Sequence, residues 1–457
     1  MNRRRQQIGT PRPVIPPEGY RYVRRRWHVV CALADAVGWL TVGLARWIGR
    51  MVRQASGVSD GGDRNVPQPA PPRRILLVQL DHLGDAVLTT SILPPLKACW
   101  PDASIDVLAG PVAAEVFAAA PQVDRVMVSQ SNRFARSGRL PLLWLPAMIL
   151  QALRLRRKQY DLAVDVRGDL TVALLLWLAG AKRRIGWAAG GGAFLLTRSV
   201  AYRHGRPELQ SRRLLLEAMT DRPTQTSMKP KVHPSRAALE RANGWCEHLV
   251  KGEDRRPLVA LHLGAGTQAK QWPDAHWREL IGRLIVELDA RLVLVGDRRE
   301  REHARAVLGD RGWPGVMNLC GLTNIDELAA LLGRADLAVS CDSGPAHLAA
   351  AVGTPLVVLF SGSVSFPQWQ PRGRRVMVCR RAMKCAPCHA KRCPLAGHPC
   401  MSGLLPEEVM SAVRRLANSL PTRFDKGLAD ESGTGEPRAT PWVSEPDSTF
   451  TIRSRQQ

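Results

Sequence analysis

The chain has 457 residues, of which 45% are hydrophobic, and it carries a formal net charge of +25. This length exceeds one ordinary domain and the apolar content is ample for two cores, so low-complexity disorder does not describe the middle of the chain. The charge predicts a polyanionic partner or surface, whether nucleic acid, anionic lipid or a phosphorylated substrate.

Both ends differ in composition from the middle. Residues 1–26 are rich in Arg and Pro and predict a basic disordered segment, residues 54–72 predict a Pro/Gly linker, and residues 421–457 predict a disordered polar tail. Residues 1–73 hold thirteen Arg against four acidic residues, a net charge of +9. The N-terminal part is therefore more basic than a compact fold requires.

Residues 27–53 predict an amphipathic helix. Apolar residues recur there at helical spacing, at Val30, Leu33, Val37, Leu40, Leu44, Ile48 and Met51. Asp35 and Arg46 interrupt the run and no small-residue cleavage pattern follows, which disfavours a spanning helix and a signal peptide. Flanking Arg clusters favour a helix in the plane of an anionic membrane face, with a contact inside or between chains and a true anchor as alternatives.

From residue 73 the pattern alternates between short apolar runs and helical stretches, which predicts an α/β fold. Four strands are expected within 73–245 and four within 246–420, separated by helices such as 141–158, 274–288 and 344–352. Parallel sheets covered on both faces fit this alternation. We therefore expect two Rossmann-like, doubly wound domains that face a central cleft, with ligands at the carboxyl ends of the strands.

The first informative loop follows the strand at 74–80. Gly84 permits a tight turn there, and Asp85 is placed at a helix N-terminus, where free N–H groups favour an anion. Asp85 is either a helix N-cap or a carboxylate able to accept a proton from an approaching hydroxyl.

The second loop follows the first strand of the second domain. Gly264 and Gly266 let the backbone approach a bulky ligand, and Thr267 and Lys270 offer a hydroxyl and a cation suited to a diphosphate. The loop is neither a Walker loop nor a Gly-x-Gly-x-x-Gly fingerprint, so its pattern alone is weak.

The third loop follows the strand at 335–341. Asp342 leaves this strand, Ser343 and Gly344 form a turn, and His347 lies one turn into the next helix. This helix start presents N–H donors, a hydroxyl and an imidazole, which favours a phosphorylated ligand, with a simple well-capped helix as the alternative.

Three stretches of the sequence together resemble glycosyltransferase family 9, the bacterial ADP-heptose:lipopolysaccharide heptosyltransferases. They are GDAVLTTSILPPLKACWPDA, GAGTQAKQWPDAHWREL and DSGPAHLAAAVGTPLVVLFSGS, and they occur in the expected order within about residues 73–420. The resemblance implies a GT-B fold. It also implies an inverting, metal-independent transfer of heptose from ADP-heptose to the lipopolysaccharide inner core, with no cofactor required for catalysis.

The resemblance also assigns roles to individual residues. Asp85 would be the catalytic base, and the donor diphosphate and sugar would be held by the Thr267/Lys270 loop and the Asp342-Ser343-Gly344 turn, with His347 close by. Glu300 or Glu302 would contact the nucleotide ribose. Neither sheet domain contains an Asp-x-Asp metal motif, so fixed N–H dipoles and Lys270 would stabilise the leaving diphosphate.

A cysteine-rich loop spans residues 385–400. Cys385, Cys388, Cys393 and Cys400 have a spacing compatible with structural Zn²⁺ or a related metal, although a reduced or reversibly bridged loop is the alternative. Some heptosyltransferases of the second-heptose type have a similar stretch, which favours heptose over Kdo as the acceptor.

Rival functions remain open at this stage. Another nucleotide-sugar enzyme on the same scaffold, such as a hexosyltransferase or a sugar epimerase, would use the same three loops. A basic protein that binds nucleic acid or membranes without catalysis would explain the charge but not the loops. We expect no nucleic-acid partner, and a cytoplasmic enzyme peripheral to the anionic inner leaflet of the inner membrane.

Overall fold

The computed structural model describes residues 31–41, 70–129, 144–249, 256–309 and 312–419. The predicted basic segment, most of the linker and the C-terminal tail lie outside these residues. The chain divides into two compact units, Met1–Met228 and Lys229–Gln457. The second unit starts earlier than the predicted residue 246, because a helix at Arg236–Leu249 packs against a helix of that unit at Ile325–Arg334.

The first unit is built on a sheet of six parallel strands in the order β3-β2-β1-β4-β5-β6. The central strands are buried on both faces, which is why they read as continuous apolar runs. The strands are β1 (Arg74–Gln79), β2 (Ser104–Ala109), β3 (Arg125–Val128), β4 (Leu162–Asp165), β5 (Arg183–Trp187) and β6 (Arg198–Val200).

Helices connect these strands. The described helices of the first unit are α1 (31–41), α2 (Leu83–Thr89), α3 (Leu93–Cys99), α4 (Pro111–Phe117), α5 (Trp144–Arg156), α6 (Leu170–Leu178) and α7 (Glu208–Thr220). One face of α5 is buried with the sheet and α6, through Met148, Ala152 and Leu155.

The second unit repeats the arrangement with the strand order β12-β11-β10-β7-β8-β9. Its strands are β7 (Leu258–His262), β8 (Arg291–Leu294), β9 (Val316–Asn318), β10 (Leu337–Cys341), β11 (Leu356–Phe360) and β12 (Val376–Arg380). Its helices are α8 (Arg236–Leu249), α9 (Asp274–Leu288), α10 (Glu300–Leu308), α11 (Ile325–Arg334), α12 (Gly344–Ala351), α13 (Phe366–Trp369), α14 (Pro399–Ser402) and α15 (Pro406–Asn418).

Each sheet therefore has one point where the strand order reverses. It lies between β1 and β4 in the first unit and between β7 and β10 in the second. Loops that leave neighbouring strands diverge at such a point and open a crevice, the usual ligand site of doubly wound sheets. All three predicted loops leave these central strands. The predicted α/β, doubly wound class is confirmed.

Helix α1 lies within the predicted amphipathic helix 27–53 and contacts the rest of the first unit through small and polar residues. Cys31, Asp35 and Gly38 lie against a loop of the first unit: the Asp35 carboxylate accepts a hydrogen bond from the Gly192 amide at 2.7 Å. A Cβ at Gly38 would lie 2.4 Å from the ring of Phe194, so this close approach needs glycine.

The predicted apolar stripe is on the opposite side of α1. Leu33, Val37 and Leu40 are 62%, 60% and 73% exposed. The helix thus makes an intramolecular contact through small and polar residues and leaves its apolar face uncovered. In the described part of the chain, no helix has both the length and the apolar character needed to cross a bilayer.

Candidate active site

Lys270 and Asp342 join the two loops at the reversal point of the second sheet. The Lys270 ammonium lies 2.7 Å from a carboxylate oxygen of Asp342 and 3.4 Å from its carbonyl oxygen. Asp342 is almost fully buried, whereas Lys270 keeps about a fifth of its side chain exposed. A carboxylate would repel a diphosphate, so Asp342 serves to orient the lysine, and the lysine is the group able to meet an anion.

His262, the last residue of β7, was not assigned a role from the sequence. Its Nδ1 atom lies 3.1 Å from the Ser343 hydroxyl and 3.2 Å from that of Ser340, and its Nε2 atom lies 3.3 Å from the Glu300 carboxylate. The imidazole therefore links the start of α10 to the turn before α12. The sequence signal that could have identified His262 is a polar residue at the end of an otherwise apolar strand.

Glu300 folds into space left by two glycines. A Cβ at Gly264 would lie 1.6 Å from one carboxylate oxygen of Glu300, and a Cβ at Gly296 would lie 2.5 Å from the other. Burial raises the pKa of this carboxyl, but the hydrogen bond and charge of His262 and the amide of Asp297 together hold it below its usual value. Glu300 is thus an ionised, oriented acceptor, and the absence of a side chain at Gly264 makes room for its carboxylate.

The second acidic candidate lies elsewhere. Glu302 points to solvent, with 74% of its side chain exposed, and pairs with Arg305 one turn later on α10. Of the two acids that the sequence could not separate, the structure brings only Glu300 to the site, and Glu302 is set aside.

His347 lies under the same turn, buried in α12. Burial lowers its pKa to about 4, with Asp342 opposing and Lys270 reinforcing the shift. The imidazole is therefore neutral at pH 7 and can donate or accept hydrogen bonds but cannot act as a cation for phosphate.

Thr267 carries a feature that points to a missing ligand. Its hydroxyl oxygen is buried and has no hydrogen-bond partner among the described residues. A buried hydroxyl left unpaired costs about 1–3 kcal/mol, so such groups usually have a functional reason. Gly266 is exposed beside it and Gly344 is half-buried at the start of α12, which leaves this loop and this helix end accessible.

In the first unit, Asp85 sits at the reversal point, in the first turn of α2. The N-cap of α2 is His82, so Asp85 is not the N-cap. Gly84 is the second residue of α2, and the tight turn predicted there is a helix start instead. Asp85 is 6% exposed, which leaves a narrow approach to its carboxylate.

A buried arginine partners Asp85. Arg212 of α7, 1% exposed, places Nη2 3.3 Å from the Asp85 carboxylate and Nη1 3.1 Å from that of Glu208, one turn earlier on α7. Its Nε donates to the Thr89 hydroxyl at 3.2 Å, and the Tyr202 hydroxyl donates to Glu208. Sequence reasoning missed these residues, since they are distant in the chain and α7 shows no motif.

The loop after β4 completes this edge of the sheet. The Asp165 carboxylate accepts hydrogen bonds from the amides of Arg167, Gly168 and Asp169 at 2.8–3.0 Å, which shapes the loop. Arg167 then reaches across the reversal point to pair with Asp81 at 3.0 Å. This ion pair holds the loop after β1 and the loop after β4 together.

The cysteine-rich loop supports the Thr267–Lys270 loop from behind. The amide of Ala269 donates to the Lys391 carbonyl at 3.1 Å, the amide of Cys393 donates to Gln268 Oε1 at 3.2 Å, and His398 Nε2 lies 3.1 Å from the Ala269 carbonyl. These bonds run between two irregular segments of one unit. The loop therefore positions the residues around Lys270.

The same loop does not assemble the predicted metal site. Cys385 is exposed, Cys388 and Cys393 are half-buried, Cys400 is buried, and all are free thiols. Burial raises the pKa of the Cys400 thiol, and the nearby sulfurs of Cys393, Cys385 and Cys388 raise it further. Across the described ranges, no three His, Cys, Asp or Glu side chains converge as metal ligands do.

Comparison with known proteins agrees with this geometry. The model of glycosyltransferase family 9 (heptosyltransferase) matches residues 151–398, more than half of the chain. Lipopolysaccharide heptosyltransferase 2 of Escherichia coli is 27% identical over 64% of this chain and 83% of its own length. Lipooligosaccharide heptosyltransferase 2 of Haemophilus influenzae is 28% identical over 65% of this chain and 85% of its own.

A solved structure shares the fold. That of E. coli ADP-heptose lipopolysaccharide heptosyltransferase II has a TM-score of 0.63 at 22% identity, covering 76% of this chain and 98% of the other. This likeness confirms the predicted GT-B class. The chain therefore belongs to glycosyltransferase family 9 and is a glycosyltransferase.

Proposed function

We propose that this enzyme transfers heptose from ADP-heptose to a heptose of the lipopolysaccharide inner core, with inversion at the anomeric carbon and without a catalytic metal ion. The relatives above are named as lipopolysaccharide or lipooligosaccharide heptosyltransferases. The similarity of the cysteine-rich stretch to enzymes of the second-heptose type favours a heptose acceptor over Kdo.

The observation that carries the donor assignment is the unpaired Thr267 hydroxyl beside Lys270. A diphosphate bound there would accept a hydrogen bond from that hydroxyl and charge from the ammonium that Asp342 orients. The ionised Glu300, held by His262, would accept hydrogen bonds from ribose hydroxyls. His347 and Ser343 would add neutral hydrogen bonds near the sugar.

Asp85 would act as the general base. It takes the proton from the acceptor hydroxyl as that oxygen attacks the anomeric carbon from the face opposite the departing ADP. Charge grows on the leaving diphosphate in the same step, and Lys270 with the backbone N–H groups of α12 would stabilise it without reorganisation. The reaction requires the acceptor and donor to meet during turnover.

Release of ADP from ADP-heptose by the purified full-length enzyme, with a defined core acceptor, tests this proposal. Turnover that depends on an inner-core heptose and persists in EDTA is the expected result. Turnover with a different sugar nucleotide, or epimerisation without transfer, would replace it with another enzyme of the same scaffold. Binding to lipid or RNA without any turnover would indicate a noncatalytic protein.

We further propose that the enzyme works at an anionic membrane face, in the cytoplasm at the inner membrane. Two helices of the first unit support this. The outer face of α1 exposes Leu33, Val37 and Leu40, and the outer face of α5 exposes Leu145, Ile149, Leu150 and Leu153 at 42–52%. Exposed apolar stripes with cationic surroundings are typical of helices that lie in a membrane interface.

Cations lie beside the apolar face of α5. A cavity of about 600 Å³ at its C-terminal end is lined by Arg73, Arg74, Arg156 and Lys182, with Asp161 as the acid. Its net positive charge complements lipid phosphates, and the Arg-rich residues 1–26 would add to the attraction.

Sedimentation with anionic and neutral vesicles tests the membrane proposal. We expect salt-sensitive binding to anionic vesicles that Val37→Asp and Leu153→Asp weaken at unchanged turnover of a soluble acceptor. Val286→Asp is the matched control, because Val286 is an exposed apolar residue of α9, 84% exposed, in the other unit. Equal binding by all these variants would reject the apolar faces as the contact.

A further inference from the structure

We infer that Asp85, Arg212 and Glu208 form an ionic cluster that sets the proton affinity of Asp85, so that Arg212 and Glu208 are positioning residues for the acceptor step. The inference rests on the proposed role of Asp85 as base. No motif in the sequence marks Arg212 or Glu208, and both lie on α7, more than 100 residues after Asp85.

The cluster is fixed by several directional contacts. Three N–H groups of Arg212 point at separate acceptors: the Asp85 carboxylate at 3.3 Å, the Glu208 carboxylate at 3.1 Å and the Thr89 hydroxyl at 3.2 Å. Thr89 in turn lies 2.8 Å from Gln79 Oε1. A planar guanidinium anchored this way holds the Asp85 carboxylate in one orientation.

The net charge of the cluster is such that binding one proton neutralises it. With both carboxylates ionised, the three side chains carry a net charge of −1, and when Asp85 accepts a proton the cluster becomes neutral. Burial disfavours net charge, so it favours this protonation. Without Glu208 the same step would leave a buried net charge of +1, and Asp85 would be a weaker base.

Exposure identifies Asp85 as the reactive member. The Glu208 side chain is 0% exposed and that of Arg212 is 1% exposed, whereas that of Asp85 is 8% exposed. Glu208 also receives the hydroxyl of Tyr202, which favours its charged form. A substrate hydroxyl can therefore reach Asp85 but not Glu208, which acts as a fixed counter-charge.

Other titratable groups also lie at this edge of the sheet. The loops after β1 and β4 contribute them, namely Asp81, His82, Asp165, Arg167 and Asp169. Asp81 is paired with Arg167 at 3.0 Å, and Asp165 accepts three backbone amides. On α7, Arg212 contacts Asp85 and Glu208 contacts Arg212, so these two residues are the ones to vary.

The test is the pH profile of kcat/KM for ADP release in Glu208→Gln and Arg212→Gln. We expect the acidic limb, which reports the base in the free enzyme, to move about one pH unit down in Glu208→Gln and about one unit up in Arg212→Gln. At the plateau, Glu208→Gln should lose about tenfold in kcat because its base is weaker. A role limited to folding would not produce opposite shifts.

If Arg212→Gln does not fold, Arg212→Lys is the substitute, because it keeps the positive charge. The acidic limb of its pH profile should move up by less than about one pH unit. Arg213→Gln, the exposed neighbour on α7, should leave profile and rate unchanged. Coinciding acidic limbs in wild type, Glu208→Gln and Arg212→Lys would overturn the inference.

A second measurement needs no substrate. The Asp85 carboxyl pKa, followed by ¹³C NMR and assigned with Asp85→Asn, should fall in Glu208→Gln and rise in the Arg212 variants. These shifts without heptosyl transfer by the wild type would sustain the cluster and reject the proposed function. Heptosyl transfer by the wild type without these pKa shifts would sustain the proposed function and reject the cluster.

Discussion

The two units have the same strand order but place different chemistry at the point where it reverses. In the first unit, a buried carboxylate, guanidinium and second carboxylate meet beside α2. In the second, a neutral imidazole, a hydroxyl with no partner among the described residues and a lysine with about a fifth of its side chain exposed surround the turn before α12. Under the proposed function, one scaffold would supply a base in one unit and an anion site in the other.

The difference follows from what each unit must leave unsatisfied. A base must be ionised before it can accept a proton. In the first unit, the buried guanidinium of Arg212 favours the ionised form of Asp85. A diphosphate site needs donors that can turn to the ligand; in the second unit the Thr267 hydroxyl has no partner among the described residues, and Lys270 pairs with the Asp342 carboxylate.

The largest effect is expected from removing the base. Asp85→Asn should lower kcat by about 10³-fold, because the amide cannot take the proton of the acceptor hydroxyl. ADP affinity, measured by calorimetry, should stay unchanged if the donor site belongs to the second unit alone. A matching loss of ADP affinity would break the division of labour between the units.

The second-largest effect is expected from removing the Lys270 ammonium of the second unit. Lys270→Ala should weaken ADP binding by about 2 kcal/mol, roughly 30-fold, since a charge-assisted contact to phosphate is lost and Asp342 is left unpaired. Calorimetry with ADP measures it, and the exposed Lys384→Ala is the control. Wild-type affinity in Lys270→Ala would place the diphosphate elsewhere.

The neutral imidazole makes the second unit sensitive to acid. His347 has a pKa of about 4 in the folded protein against an ordinary 6.5, so the unfolded chain binds more protons between these values. Its stabilising contribution is present above pH 6.5 and is lost as the pH falls towards 4.

Urea unfolding at pH 7 and pH 5 measures this effect. His347 should account for a loss of about 2 kcal/mol on acidification, which His347→Gln abolishes. If the variant and the wild type lose equal stability, the imidazole is not the group that titrates.

The smallest effect separates ligand binding from folding. Thr267→Val should weaken ADP binding by about 1 kcal/mol without lowering stability, because the hydroxyl it removes has no hydrogen-bond partner in the described part of the chain. Thr354→Val is the matched control: its hydroxyl donates to the Leu332 carbonyl at 2.6 Å, so its loss should destabilise the fold and spare ADP binding. The opposite pattern would show that Thr267 is structural.

Much of the fold could be predicted from local pattern alone. Buried central strands such as β1, β7 and β10 are largely apolar, and helix α9 coincides with the predicted 274–288. The strands that were missed, β5, β6, β9 and β12, are short or carry Arg, and three of them, β6, β9 and β12, are edge strands.

Motif spacing likewise predicts Asp85, Lys270 and Asp342 in loops that follow strands. Tertiary structure alone decided which of Glu300 and Glu302 faces the site, that His262 links two loops, and that Arg212 and Glu208 surround Asp85. It also decided that α1 buries its polar side. Local sequence specifies which backbone forms, whereas the partner of a buried charge is chosen by which distant segments the fold brings within hydrogen-bond distance.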